Sequence, residues 1–234
     1  MGATTKGGRH RSGFSKCTLN LVLKVEETHT TQLCNIFALD LHIITIELQV
    51  GAIEGQIFLK NGILEPLSAQ NLIDCARGKY HNEGCYGGSM KSAFNYTRDH
   101  GVLTDQEYPY VSYSGKEGKC KKQGGVKISG YKVTPEGDEQ ALAKAVALIG
   151  PVSVGLDATH MQFYSGGVIT KKSGCKNELD DLDHGVLVVA YSEDYWLIKN
   201  SWGTTWGEQG YLRLKRNDGN TCGVASIVSY PTLD

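Results

Sequence analysis

The chain has 234 residues, with 24 lysines and arginines, 25 aspartates and glutamates and a net charge of −1. This length is enough to bury a large core, as one domain or as two lobes. The balanced charge lacks the basic footprint of proteins that bind nucleic acid or an anionic membrane, so we expect neither partner. No apolar run approaches the roughly 18 residues of a membrane span.

Residues 1–49 differ in character from the rest of the chain. Residues 1–13 are rich in glycine, threonine and basic residues, which is typical of a disordered tail. The apolar stretch at 19–25 is interrupted by Asn20 and Lys24, so it makes no convincing secretory signal. Residues 35–50 alternate in part between apolar and polar side chains, which favours a strand.

Helical patterns follow up to residue 101. A helix is predicted over 51–61, where an Asn-Gly pair stops it. A second helix is predicted over 68–75, with Ser68 as its N-cap. A third is predicted over 89–99 and ends at Gly101.

Strand patterns dominate after residue 126. Strands are predicted over 126–133, 152–156, 186–191, 195–199 and 211–215. The first two are separated by a predicted helix over 138–149, which has an acidic first turn and a Gly-Pro stop. These strands suffice for a small antiparallel barrel, so the predicted fold class is α+β.

The stretch with the clearest chemistry runs from Asp183 to Tyr211. His184 opens one apolar run, and Asn200 and Trp202 follow the end of the next. Two adjacent antiparallel strands would bring His184 and Asn200 side by side, with a tryptophan available to cover them. An imidazole that is oriented by an amide and shielded from water is what a thiol hydrolase requires of its base. The alternative is a core hairpin with a capping asparagine and packing tryptophans.

Six ordered motifs between Val50 and Asp234 resemble the papain family of cysteine peptidases, in its cathepsin L-like branch. They read V-G-A-I-E-G-Q, L-S-A-Q-N-L-I-D-C, G-C-Y-G-G-S-M, D-H-G-V-L-V-V, K-N-S-W-G-T-T-W-G-E-Q-G-Y and C-G-V-A-S-I-V-S-Y-P. The resemblance implies a two-lobe papain-like fold, with a helical lobe over 50–125 and a β-barrel lobe over 126–234. It also implies an endopeptidase in which His184 is the catalytic base, Asn200 orients it and Trp202 shields the pair. In residues 1–49 we find no recognisable pro-segment.

The nucleophile of the family falls in this unmatched segment. Counted back from Val50 without a gap, the nucleophile position is held by Ile44. Three further family residues are replaced: the following tryptophan by Thr45, a disulfide cysteine by Leu41 and the oxyanion-binding glutamine by Ala38. We therefore expect this chain to be inactive, as a truncated or mis-spliced product whose foreign stretch ends at Gln49. The alternatives are a pseudoenzyme that binds peptides or inhibitors, and an active thiol peptidase that uses Cys34, which keeps the C-x-x-F spacing of the family.

The resemblance also assigns the substrate cleft. Gly87 and Gly88 would line it, with Gly88 pairing with the peptide main chain, and the Asp183 carbonyl would accept a substrate amide. The pocket for the residue two before the scissile bond would be lined by Met90, Gly155, Leu182 and Ile227. These residues are apolar or small, so a bulky aliphatic or aromatic side chain is expected there, and arginine is disfavoured.

The seven cysteines are assigned by the same resemblance. It pairs Cys75 with Cys120 and Cys175 with Cys222, and it leaves Cys85 as an orphan thiol, because Leu41 now holds the position of its partner. Disulfides imply a lysosomal or secreted protein. We expect no cofactor and no metal, because the cysteines lack the paired C-x-x-C spacing of zinc sites. The expected partners are peptide or protein substrates and cystatin-like inhibitors, and the expected state is a monomer.

Overall fold

The computed structural model describes residues 47–234, and its central element is helix α1 (Glu47–Asn61). Leu48, Val50 and Ile53 of this helix are buried. Helix α1 packs on three strands of the sheet described below. The approach is close, because a Cβ atom added at Gly51 would lie 2.9 Å from Leu187 Cδ2. Helix α1 therefore packs between the rest of the helical part and the sheet.

The start of α1 corrects one prediction. The strand predicted over 35–50 is wrong for residues 47–50, which are helical, and the remainder of that prediction lies outside the described residues. Burial of Leu48 and Val50 against the sheet outweighs the local pattern, as tertiary packing commonly outweighs propensity. The predicted end of the helix is confirmed, since it ends at Asn61 and Gly62 adopts a φ of +75°.

Two further helices complete the N-terminal part. Helix α2 (Ala69–Cys75) begins after Ser68, whose hydroxyl oxygen accepts a 2.9 Å hydrogen bond from the Asn71 N–H. Helix α3 (Met90–His100) ends at Gly101, which has a φ of +86°. Both predictions are confirmed to within one residue at each end.

The C-terminal part is a seven-stranded sheet with helix α4 (Glu139–Leu148) against it. The strands are β1 (Gly130–Val133), β2 (Val152–Leu156), β3 (Val168–Ile169), β4 (His184–Tyr191), β5 (Tyr195–Lys199), β6 (Tyr211–Lys215) and β7 (Ile227–Thr232). Their order is β1-β7-β2-β4-β5-β6-β3, and every neighbouring pair is antiparallel except β3 with β6. The α+β prediction is confirmed.

The differences from the predicted strands have local causes. Of the strand predicted over 126–133, only β1 forms; Val126 makes an isolated bridge to Val102 instead. Strand β7 lies largely within the last of the six motifs, and no strand is predicted there from the sequence. It is the element that joins β1 to β2, so the sheet is continuous only because β7 lies between them. The predicted boundary between the lobes at residue 126 stays a prediction.

Two disulfides confirm the predicted pairs. Cys75 is bonded to Cys120 and Cys175 to Cys222. Cys85 is also disulfide-bonded, so the expectation that it lacks a partner is wrong. That expectation rested on the gap-free count to Leu41, a position outside the described residues. No helix within 47–234 is both long and apolar enough to span a bilayer.

Candidate active site

The sheet brings the predicted histidine and asparagine into contact. His184 is the first residue of β4, and Asn200 directly follows β5, the antiparallel neighbour of β4. His184 Nε2 and Asn200 Oδ1 are 2.8 Å apart, and both side chains are buried. The predicted side-by-side placement of His184 and Asn200 is therefore confirmed.

The asparagine fixes which ring nitrogen carries the proton. Asn200 Oδ1 also accepts a 2.8 Å hydrogen bond from the Ser201 N–H, which sets the orientation of the amide. Because Oδ1 is an acceptor only, His184 must donate to it from Nε2–H. In the neutral ring, Nδ1 is then the nitrogen with a free lone pair. This is the tautomer that a base needs if it is to take a proton from a group on its Nδ1 side.

Trp202 covers this pair. Its ring centroid lies 4.9 Å from that of His184, with 30° between the ring planes. Burial lowers the pKa of the His184 imidazole, although the hydrogen bond to Asn200 and the charge of Asp183 act in the opposite direction. The described surroundings of His184 therefore favour the neutral imidazole.

The loop after β5 returns to the site and holds Asn200 from behind. The Asn200 N–H donates to the Gly210 carbonyl at 2.9 Å. Gly203, Gly207 and Gly210 in this loop all have positive φ, a region that side chains rarely adopt. At Gly207 an added Cβ atom would lie 2.6 Å from the Tyr211 carbonyl oxygen, so the turn requires glycine there.

Three of the predicted pocket residues meet at one place. Gly155 of β2 pairs with Ile227 of β7. A Cβ atom added at Gly155 would lie 3.5 Å from Ile227 Cβ and 3.6 Å from Leu182 Cδ1. Leu182 is buried and Ile227 is half-buried. The absence of a side chain at Gly155 therefore leaves an apolar space between the other two.

Met90, the fourth predicted pocket residue, lies at the start of α3 and reaches the same strand. Its sulfur accepts a 3.6 Å hydrogen bond from the Ser229 hydroxyl. Ser229 is two residues beyond Ile227 on β7, so both side chains point to one face of the sheet. Met90 of the helical part therefore contacts the strand that carries Ile227.

The predicted cleft glycines lie beside a buried asparagine. Gly87 has a φ of +106°, and its carbonyl accepts a 2.9 Å bond from the Glu83 N–H. A Cβ atom added at Gly88 would lie 2.1 Å from Asn82 Oδ1, so only glycine fits. Sequence reasoning missed Asn82, whose oxygen accepts from the Ser89 N–H at 2.9 Å. Its position in a polar loop gave no signal of this contact.

Asp183 precedes His184 and is anchored through its side chain. The Asp183 carboxylate accepts a 2.8 Å hydrogen bond from the Ala158 N–H, and the Asp183 N–H donates to the Leu156 carbonyl at 3.2 Å. These bonds fix the chain where β4 begins.

Ile44 and Cys34, the two positions considered for the nucleophile, lie outside the described residues. Among the described residues no cluster of three or more histidine, cysteine or acidic side chains could hold a metal ion.

Comparison with known proteins agrees with this geometry. The family described as papain family cysteine protease matches residues 49–232. The chain belongs to this family. A cathepsin L-like peptidase of Aedes aegypti is 51% identical over 191 residues, which cover 78% of this chain and 55% of that protein. Cathepsin S of Bos taurus is 48% identical over 191 residues, which cover 79% of this chain and 56% of that protein. The chain thus spans about half the length of these papain-family relatives.

Solved papain-family structures share the fold. Procathepsin L 3 from the larval midgut of Tenebrio molitor superimposes with a TM-score of 0.74 at 38% identity, covering 92% of this chain and 79% of that one. A cysteine protease of Carica candamarcensis gives a TM-score of 0.73 at 36% identity, covering 84% of this chain and 94% of that one. These matches confirm the papain-like, cathepsin L-like prediction.

Proposed function

We propose that this chain carries the substrate cleft and the base of a cathepsin L-like endopeptidase but lacks the nucleophile, so that it binds peptides and does not hydrolyse them. The observation that carries the proposal is the buried 2.8 Å contact between His184 and Asn200 beneath Trp202. An oriented, shielded imidazole is what a cysteine peptidase requires of its base.

The apolar pocket supports a hydrophobic preference two residues before the scissile bond. Gly155 leaves room between Leu182 and Ile227, and Met90 adds a flexible apolar side chain. An isoleucine at 227 offers no carboxylate to an arginine. A phenylalanine or leucine in this pocket would gain roughly 1.5–3 kcal/mol from burial. The Gly88 main chain and the Asp183 carbonyl would hold the peptide backbone.

The missing nucleophile is inferred from the sequence. On the gap-free count Ile44 stands at its position and supplies no thiolate to attack a peptide carbonyl, whereas the disulfide of Cys85 argues against the same count at Leu41. Removal of the nucleophile from an analogous serine enzyme costs about 10⁶-fold in turnover. Two observations support a break in the sequence near this point. The family match begins at residue 49, and Gln49 is fully buried with neither amide atom hydrogen-bonded within 47–234.

The origin of the break is a question about the transcript. A stretch that ends at Gln49 is what translation through the terminal CAG of an intron would produce. Sequencing the messenger RNA across codons 40–55 tests this: a junction at codon 49 that is absent from the mature message supports a mis-spliced product. A continuous message that matches the chain would instead favour the pseudoenzyme, with peptides and cystatin-like inhibitors as its partners.

Turnover is tested with a fluorogenic peptide that has phenylalanine before arginine at the scissile bond. We expect no thiol-dependent cleavage by the folded chain, and we expect a non-cleavable peptide with the same side chains to bind. The matched peptide with arginine in place of phenylalanine should bind more weakly.

The alternative nucleophile is tested by labelling. An active-site-directed epoxide that reacts with Cys34, together with cleavage that is lost in both Cys34→Ala and His184→Ala, would refute the absence of a nucleophile. The variant Ile44→Cys tests the gap-free count directly, because cleavage gained only in this variant would support it. A lysosomal or secreted location is proposed with the function, since disulfides such as Cys75–Cys120 and Cys175–Cys222 are typical of an oxidising compartment.

A further inference from the structure

The cover over His184 continues as a chain of aromatic contacts. Trp206 meets Trp202 edge-on, with ring centroids 4.9 Å apart and 83° between the planes. Tyr164 in turn lies against Trp206, at 5.5 Å and 42°. The contacts therefore run from His184 through Trp202 and Trp206 to Tyr164, a residue from a distant part of the sequence.

Trp206 is held by one short segment. Its indole N–H donates to the Met161 carbonyl at 3.2 Å, and its ring contacts Tyr164 three residues further on. Tyr164 also fits closely against the loop that carries both tryptophans, because a Cβ atom added at Gly207 would lie 3.1 Å from Tyr164 Cδ1. The placement of Trp206 thus depends on how firmly residues 161–164 are fixed.

Glu208 fixes that segment. Its Oε1 accepts hydrogen bonds from the Gly167 N–H at 2.9 Å and from the Tyr164 hydroxyl at 3.1 Å. Arg213 binds the same carboxylate through two nitrogens, Nη2 to Oε1 at 2.6 Å and Nε to Oε2 at 2.8 Å. A two-point arginine–carboxylate pair is directional as well as strong. The Arg213 guanidinium lowers the pKa of the Glu208 carboxyl, so Glu208 stays ionised in mildly acidic surroundings.

The Tyr164 hydroxyl is at the centre of these bonds. The hydroxyl can donate its one proton to the Gly167 carbonyl at 2.7 Å or to Glu208 Oε1 at 3.1 Å. Its oxygen accepts a hydrogen bond from the backbone N–H of Arg213 at 3.2 Å. Three partners from separate backbone segments thus converge on one oxygen atom. Such a hydroxyl fixes the ring that carries it more firmly than apolar packing alone.

We propose that Tyr164 is a positioning residue for the candidate catalytic base: fixed by Glu208 and Arg213, it holds Trp206, and through Trp206 it holds Trp202 over His184. The proposal rests on the role of His184 given above. It predicts that loss of the Tyr164 hydroxyl lets Trp202 shift and lets water reach the imidazole, although the ring contact of Tyr164 is with Trp206 and that of His184 is with Trp202.

The test measures the titration of His184 by NMR in Tyr164→Phe and Glu208→Gln, with His184→Gln used to assign its signals. Because burial lowers the pKa of His184, exposure of the ring to water should raise its titration midpoint in both variants. Tyr164→Phe removes a single oxygen atom and keeps the ring, so it decides the question even if Glu208→Gln does not fold.

Glu139→Gln is the matched control. Glu139 is a buried carboxylate beside the same sheet, and it accepts from the indole N–H of Trp196 and from the backbone N–H groups of Asn217 and Asn220. It should lower the stability without moving the His184 midpoint. An unchanged midpoint in Tyr164→Phe would overturn the proposal, as would an equal rise in Glu139→Gln. The readout involves no turnover, so it is independent of whether the chain hydrolyses peptides.

Discussion

Two buried glutamines differ in how well their amides are hydrogen-bonded. Gln49 on α1 and Gln70 on α2 are both 0% exposed. Neither amide atom of Gln49 has a hydrogen-bond partner among residues 47–234. Gln70 Nε2 donates to Asp74 Oδ1 and Ser112 Oγ, both at 2.8 Å, and its Oε1 accepts from the N–H groups of Val111 and Ser112. We predict that the same substitution, glutamine to leucine, has opposite effects at the two positions.

The magnitudes follow from the hydrogen bonds. A buried amide without partners costs about 1–3 kcal/mol, so Gln49→Leu should stabilise the fold by an amount in that range, less any cost of fitting the new shape. Helix propensity is nearly unchanged, because leucine and glutamine are both good helix formers. Gln70→Leu deprives Asp74 of one donor and two backbone N–H groups of their acceptor, which should cost about 3 kcal/mol or more.

Urea denaturation and thermal unfolding, both under oxidising conditions, measure the stability of the two variants. For a domain of this size, 2 kcal/mol corresponds to a shift of roughly 4–8 °C in Tm. The denaturation midpoint should rise for Gln49→Leu and fall for Gln70→Leu, with an unchanged dependence on urea in each. A fall of similar size in both variants would refute the reasoning, because it would mean that Gln49 is as well accommodated as Gln70. It would also remove one support for a foreign junction at residue 49.

Three further predictions concern stability. Burial lowers the folded pKa of His184 below the value of about 6.5 in the unfolded chain. The neutral ring therefore contributes fully to the free energy of unfolding above pH 6.5, and this contribution is lost as the pH falls towards the folded pKa. When the free energy of unfolding is measured between pH 4 and 8, it should decline less on acidification in His184→Gln than in the parent chain. Replacing Cys175 and Cys222 by serine opens a loop with a sequence separation of 47 and should cost about 4 kcal/mol by denaturation. Glu139→Gln should cost about 1–3 kcal/mol, since at least one backbone donor loses a charged acceptor, and quenching of Trp196 fluorescence should change with it.

Local signals were enough to predict most elements. Ser68 and Asp138 cap helices because their side chains accept from N–H groups three residues on, at 2.9 and 2.8 Å. Strands 195–199 and 211–215 were predicted with the bounds that the structure shows. In each case the residues that decide the structure lie within one turn or one strand of each other.

The contact between His184 and Asn200 was also predictable, because it needs only a hairpin. The strands that carry these residues are consecutive and antiparallel, so their ends meet whatever the rest of the fold does. Asp194 and its neighbours supply the turn between them. The tautomer was not predictable, since it depends on the Ser201 N–H, which shares Asn200 Oδ1 with the imidazole.

Contacts between distant segments gave no signal in the sequence. Nothing near Leu182 indicates that it packs on Gly223, where an added Cβ atom would lie 2.3 Å from Leu182 Cδ2. Nothing near Met90 indicates its contact with Ser229 across 139 positions. The helix at 47–50 was missed for the same reason, because its helical state depends on burial against the sheet rather than on its own residues.

The local character of the contact between His184 and Asn200 explains how a chain without a nucleophile would still form the rest of the site. His184, Asn200 and Trp202 are held by β4, β5 and the loop that returns at Gly210, all within the second half of the chain. The described part of α1 contributes a buried apolar face to the core, and the His184 ring is hydrogen-bonded to Asn200 of the sheet side. Loss of the thiol would thus remove the chemistry while the base and its cover remain. For this reason the state of His184, rather than overall folding, is the measurement that distinguishes an intact cleft from a damaged one.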